Sequence, residues 1–266
     1  MLPDASHRAF PPPSRPWVLA QSWRDVLFAH WSFAPARVRP LLPSGIVLDT
    51  HHDRAWIGVV PFRMAGVRPR WLPPVPGASA FPEINVRTYV VVGETRGVLF
   101  FSLDAASRLA VATARRWFVL PYYRARMRIE REGEIVRYRS TRDDPRGTPA
   151  AFAGSYAPLG EAFDATRGTL EHWLTERYCL FTATPDGRVL RGDVHHRQWP
   201  LQRARARIGT CSMLEPLGLT VPGEPESLLY ARRVDVATWA PREVYRARAR
   251  TRAGRGDRLP PPEPGR

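Results

Sequence analysis

Glu83, Asn85, Arg87 and Tyr89 occupy alternate positions in the segment 83–92, Glu-Ile-Asn-Val-Arg-Thr-Tyr-Val-Val-Val. Alternate side chains of an extended segment share a face. These four therefore line one side of a predicted strand, and Ile84, Val86, Thr88, Val90 and Val92 form an apolar stripe on the other. A row of carboxylate, amide and guanidinium can orient a small carboxylate or carbonyl compound. Arg87 would supply the bidentate contact and Asn85 a second hydrogen bond. The next segment, 98–104, places Phe100, Ser102 and Asp104 on one face and adds Ser102 to the candidates. Two other placements of the polar row stand beside the pocket: a solvated outer face, and the interface of a homo-oligomer.

Other chemistries find less support. His195-His196 are adjacent on a predicted strand and point to opposite faces, so they do not share a metal. His51-His52 stand beside Asp53 in a predicted turn, and no Cys/His/Asp set has structural-zinc spacing. No metal site is expected. Cys179 and Cys211 form no CxxC pair, and Cys179 in its apolar segment reads as core. There is no Gly-rich phosphate loop of the nucleotide-binding types and no GxSxG elbow, and no cofactor is expected. All 40 basic residues are arginine, with no lysine in the chain. Guanidinium stays protonated and is not a nucleophile, so no side-chain amine is present to form a Schiff base.

The elements that must position these residues are mostly strands. The 266 residues, 44% hydrophobic and 11% aromatic, can bury a substantial core and exclude a disordered chain. No apolar run approaches the ~18 residues of a membrane-spanning helix, so no membrane insertion is expected. Two cysteines make no disulfide framework, which predicts a reducing, cytoplasmic setting. Residues 1–16 read as a disordered Pro-rich arm and 17–240 as one domain. Residues 241–266 read as a disordered basic tail, with eight arginines against three acids from Arg242 onward.

Within the domain, a Gly-containing turn at 93–97 joins the first two strands as a hairpin. Residues 105–118 predict a helix, capped by Asp104 and ended before Pro121. Strands are expected at 122–130, 134–140, 176–183, 188–196 and 228–236. A helical turn is expected near 169–175 and a hairpin turn at Asp186-Gly187. Pro and Gly clusters mark loops at 67–82, 143–160 and 214–227. The fold class is α+β and β-rich: a curved antiparallel sheet or barrel with one or two helices.

The net charge of +15 raises a second function class. Arg203, Arg205 and Arg207 alternate, as do Arg246, Arg248, Arg250 and Arg252. Each set would lie along one side of an extended segment and could track phosphates. No readout motif accompanies them, so only non-specific nucleic-acid binding is expected.

Several segments together resemble the uncharacterised YqjF-like family. They are Phe81-Pro-Glu-Ile-Asn-Val-Arg-Thr-Tyr-Val90, Gly97-Val-Leu-Phe-Phe-Ser-Leu-Asp104 and Leu120-Pro-Tyr-Tyr-Arg-Ala125, with His30-Trp31, Glu176-Arg-Tyr178, His195-His196 and Trp199-Pro-Leu201. The resemblance covers about 17–240 and extends distantly to acetoacetate decarboxylase. It implies a β-rich, barrel-like fold around a polar pocket. The decarboxylase forms its Schiff base on a lysine within a Pro-Lys motif. Pro121-Tyr122 stands at the nearest equivalent here, and Glu83 corresponds to a glutamate of the preceding strand. The resemblance also brings Arg115, just before Pro121, within reach of the pocket. A small-molecule-binding protein for an organic acid or carbonyl compound follows, held by Asn85, Arg87, Ser102 and Arg115. Should it be an enzyme, Glu83 and Tyr122 would perform lysine-independent acid–base work of lyase or isomerase type. The alternative is a non-catalytic binding or assembly protein that contacts nucleic acid or acidic partners through its basic surface and tail.

Overall fold

A computed structural model describes residues 4–75 and 79–246. Strands dominate: β1 (Leu19–Phe33), β2 (Val47–Leu48), β3 (Ala55–Pro69), β4 (Phe81–Val92), β5 (Thr95–Ala105), β6 (Tyr122–Glu132) and β7 (Ile135–Arg142). They continue as β8 (Ala151–Asp164), β9 (Cys179–Ala183), β10 (Arg188–His195), β11 (Pro200–Cys211), β12 (Ser227–Thr238) and β13 (Arg242–Arg246). Three short α-helices interrupt them, α1 (Pro35–Val38), α2 (Arg108–Thr113) and α3 (Leu170–Thr175).

All 13 strands belong to one strongly curved sheet. β4 pairs with both β3 and β5. From β5 the pairing continues through β6, β7, β8, β11, β12 and β1 back to β3. The circuit is not a strict barrel, because its β5–β6 seam is parallel and only three residue pairs long. β9 also pairs with β5 in parallel and leads through β10 both to β13 and, by two residue pairs, back to β12. The antiparallel expectation thus holds everywhere except at these two seams of β5.

Curvature buries both faces of the central strands. Ile84 and Val86 on one face of β4 pack with Leu27, Val59 and Tyr138. The opposite face meets a second apolar cluster that includes Phe28, Phe62, Leu103, Tyr122 and Trp199. Outer strands keep the alternation of a half-buried sheet; along β7, Val136, Tyr138, Ser140 and Arg142 are buried and the residues between them exposed.

Several expectations need correction. The 105–118 helix is shorter and starts later. β5 runs on to Ala105, and Ser107, not Asp104, is the N-cap, its hydroxyl accepting from Ala110 N at 3.2 Å. Asp104 is instead committed to a buried ion pair with Arg142 at 2.8 Å. After α2 the chain makes a π-helical turn, Ala114–Phe118, and ends it with Val119 in the left-handed region at φ 54°.

The loop expected over 143–160 stops at Ala151, where β8 begins. Pro158 is tolerated within β8 because it pairs with β11 alone, beyond the last β7 pair at Tyr156. The predicted arm is packed down rather than disordered over its described residues. Arg8 is buried, donates to Val194 O at 2.7 Å and lies over the Tyr178 ring. Of the predicted tail, residues 242–246 form β13 against β10. Residues 247–266, with Arg248, Arg250 and Arg252, lie outside the described residues.

Candidate functional site

β4 supplies the centre of the site. Its pairing with β3 is regular, so Glu83, Asn85 and Arg87 stay on one face, opposite Phe62, Val60 and Gly58. None of the three is more than 8% exposed. A solvated outer face is thereby excluded.

Glu83 lies between Phe62 on β3 and Ala105 on β5. Burial among these apolar neighbours pushes its carboxyl up to about 8, with the Asp104 charge adding to the rise. The Tyr122 hydroxyl donates to Glu83 Oε2 at 2.9 Å and opposes that shift. At pH 7 Glu83 is accordingly a neutral acid, able to donate a proton. Burial, and then the adjoining carboxyl, push the Tyr122 phenol upward.

The approach to Tyr122 is held in an unusual geometry. The π-helical turn and left-handed Val119 come directly before Leu120-Pro121-Tyr122. Thr182 Oγ1 fixes the turn by donating to Val119 O at 2.8 Å. A β-branched residue at positive φ is strained, and such strain concentrates at functional positions.

Arg87 lies over the Phe28 ring and donates to Leu174 O at 3.1 Å. The Tyr89 hydroxyl donates to the same carbonyl at 2.8 Å. Having spent its proton there, Tyr89 accepts from His30 Nε2 at 2.7 Å. His30 therefore carries its proton on Nε2 and leaves Nδ1 as an acceptor. Burial, reinforced by the Arg87 charge, lowers the His30 pKa well below the usual value.

Gly58 makes room for this pair. A Cβ there would come within 2.7 Å of His30 Nε2 and 3.5 Å of Arg87 Cγ.

Several buried polar atoms have no partner: Asn85 Oδ1 on β4, and Arg87 Nε, His30 Nδ1 and the Trp199 indole nitrogen on residues that contact Phe28. His30 stacks on Phe28 and Trp199 meets it edge-on. An unsatisfied buried polar group costs about 1–3 kcal/mol, so these atoms stand out against the apolar surroundings.

Two predicted site residues fall elsewhere. A β-bulge in β5 sets Val86 opposite Ser102 but Arg87 opposite Phe100. The extra residue breaks the expected sharing of a face. Ser102 lies on the far face and lines a separate cavity of about 180 Å³ with Tyr123 and Arg142. Arg115 donates to Tyr122 O at 2.8 Å. That bond ties its guanidinium to the Tyr122 backbone. His30 and Gly58 had no site signal beyond the His30-Trp31 resemblance.

The His51-His52 segment is a turn, with His52 and Asp53 at positive φ. Among the described residues no group of three or more His, Cys, Asp or Glu is arranged to hold a metal. None of their helices is long and apolar enough to cross a membrane.

Comparison with solved structures gives the class. The acetoacetate decarboxylase-like enzyme from Sphingomonas wittichii RW1 superposes with a TM-score of 0.61 at 13% identity, over 91% of this chain and all of the other. Acetoacetate decarboxylase from Legionella pneumophila gives 0.60 at 12%, over 90% and 93%. The enduracididine biosynthesis enzyme MppR, complexed with pyruvate, gives 0.57 at 10%, over 90% and 93%. The fold is that of the acetoacetate-decarboxylase-like proteins.

Within that fold the chain belongs to the DUF2071 family, described as an uncharacterized conserved protein, which it matches over residues 20–235. It is 44% identical to the uncharacterized protein YqjF of Bacillus subtilis over 223 residues, 84% of this chain and 91% of that one.

Proposed function

We propose that the protein binds a small organic acid or carbonyl compound in the interior beside β4, without imine chemistry. The observation that carries this reading is the set of unpartnered buried atoms on Asn85, Arg87 and His30. Arg87 offers an N–H for a carboxylate oxygen. Asn85 Oδ1 and His30 Nδ1 are acceptors suited to a hydroxyl or enol. MppR, of the same fold, has been captured with pyruvate, which makes a 2-keto acid a reasonable first probe.

By the resemblance, Pro121-Tyr122 is the nearest equivalent of the decarboxylases' Pro-Lys motif, and the chain has no lysine. Any turnover would therefore use acid–base groups. Neutral Glu83 would donate its proton to the ketone oxygen of a 3-keto acid as the bond to CO2 breaks and its electrons arrive there, leaving the enol and CO2. Tyr122 would hold the resulting carboxylate by its hydrogen bond. Acid–base groups contribute about 10²–10⁴-fold, so pocket electrostatics from Arg87 would have to supply the remainder.

A thermal-shift screen against keto acids, hydroxy acids, aldehydes and sugar acids tests the reading, because a ligand of the folded state raises stability by mass action. A stabilising compound whose effect is lost in Arg87→Ala and Asn85→Ala supports it. Equal stabilisation of both variants removes the site from β4.

A second reading has its own observation. Arg203, Arg205 and Arg207 are exposed along β11, and Arg137 and Arg139 are exposed on β7. β8 lies between them with small residues in register, Ser155 pairing both Arg137 and Arg207. Arg128 and Arg139 stand directly opposite each other, with Glu130 pairing Arg128, so part of the positive charge on this face is left without a carboxylate. Nucleic acid or an acidic partner would fit this basic trough through non-specific contacts.

A further inference from the structure

We propose that the cleft between the N-terminal arm and α3 is a second binding site, for a small molecule carrying two anionic groups, such as a diphosphate or a dicarboxylate. The cleft has a volume of about 370 Å³, within the roughly 300–1,000 Å³ range of ligand sites. Arg96, Arg167, His7, His51 and His172 line it, with the Trp173 ring as an apolar wall.

Its charge is unbalanced. The acid in the lining, Glu176, has both oxygens committed: Oε1 accepts from Trp199 N at 3.0 Å and Oε2 from the Tyr178 hydroxyl. Asp49, behind the wall, accepts from the buried Arg177 at 2.8 Å. Arg96 approaches Asp49 only to 3.9 Å and its side chain is 64% exposed. Arg167 donates once, to His7 O at 3.3 Å. Two guanidiniums thus retain free N–H groups at one cavity, the geometry that recognises paired anionic groups.

The arm is built to complete this wall. Terminal segments are poorly ordered unless tied down, and here a buried guanidinium ties. Arg8 donates to Val194 O at 2.7 Å and to Phe10 O at 3.0 Å, and lies 4.5 Å from the Tyr178 ring centroid. Its neighbours His7 and Ala9 then face the cleft. His7 Nε2 donates to His196 O at 3.0 Å, which holds its ring at the cleft. Burial lowers the pKa of His51 and His172, and each ring can offer an N–H to the cleft.

The cleft is separate from the interior beside β4, and the test keeps them apart. Pyrophosphate and succinate are titrated calorimetrically into the full chain and into Arg96→Ala, Arg167→Ala, Arg8→Ala and Asn85→Ala. Saturable binding of either probe is expected. The affinity should fall at least tenfold in each arginine variant and hold in Asn85→Ala. Ring-nitrogen NMR signals of His7, His51 and His172 should shift on binding. No saturable binding of either probe, or affinity unchanged in both Arg96→Ala and Arg167→Ala, overturns the proposal. Loss confined to Asn85→Ala would assign the binding to the interior instead and likewise overturn it.

Discussion

Tyr122 and Glu83 are 39 residues apart and lie on different strands, yet the tyrosine hydroxyl donates to the glutamate at 2.9 Å within the sheet. β5 is the reason. It pairs antiparallel with β4 through Ala105 opposite Glu83, and parallel with β6 through Leu103 opposite Tyr122. The crossover from β5 to β6 through α2 and the π-helical turn brings the two groups together.

Stability should fall as pH rises through the window that Glu83 defines. Its folded pKa is raised to about 8 from an ordinary value near 4.5, so the native state holds a proton that the unfolded chain has released between those values. The unfolding free energy then decreases with pH, by up to about 1.4 kcal/mol per unit in mid-window. The stabilisation is fully present below pH 4.5 and lost above pH 8. Thermal melts of wild type and Glu83→Gln between pH 5 and 9 check this, with the variant showing the shallower slope.

Removing the tyrosine hydroxyl should move the same titration upward. The hydrogen bond from Tyr122 favours the charged carboxylate, so in Tyr122→Phe the Glu83 pKa rises further. Carboxyl-carbon NMR of labelled glutamate reads the shift directly. A downward shift would mean that the hydroxyl accepts from Glu83 rather than donating to it.

Asp104 and Arg142 form a doubly hydrogen-bonded pair, each at most 2% exposed at the side chain. Taking away one partner strands the other charge, at a cost of about 3–5 kcal/mol. Arg142→Met should therefore lower Tm by roughly 6–20 °C, at about 2–4 °C per kcal/mol for a domain of this size. Arg205→Ala, on the exposed face of β11, should leave Tm nearly unchanged in the same melts.

Charge reversal on the basic trough should weaken polyanion binding without unfolding the protein. The double variant Arg205→Glu/Arg207→Glu is expected to bind single-stranded DNA less tightly than wild type and with a smaller dependence on salt. Filter binding across a salt series reads both, and an unaltered slope would take the trough out of the interaction.

The sequence carried the strand-rich character and the two central strands, because 83–92 and 98–104 combine strong β-formers with a Gly-containing turn. It carried Glu83, Asn85 and Arg87 as one row, because alternation follows from strand geometry alone. Ser102 was misassigned, since one extra residue in β5 reverses a face and leaves no local mark. Asp104 read as a helix cap because its partner, Arg142, lies 38 residues away. β1, β3, β8 and β11 escaped the strand pattern. The first two contain segments buried on both faces and so lose period two, and β8 holds Pro158 and Gly160 at positions that tertiary pairing tolerates. His30 had no visible role, since its value comes from Tyr89 and from the space left by Gly58.

The central claim is that the interior beside β4 holds a small acid through Arg87 and Asn85. The most direct measurement is calorimetric titration of pyruvate, and of any stabilising compound from the screen, into wild type, Arg87→Ala and Asn85→Ala, with each variant first shown to be folded. Stoichiometric binding by wild type, weakened at least tenfold in both variants, is the expected result. Binding of equal strength in all three proteins, or no binding of any such compound to wild type, would contradict the claim.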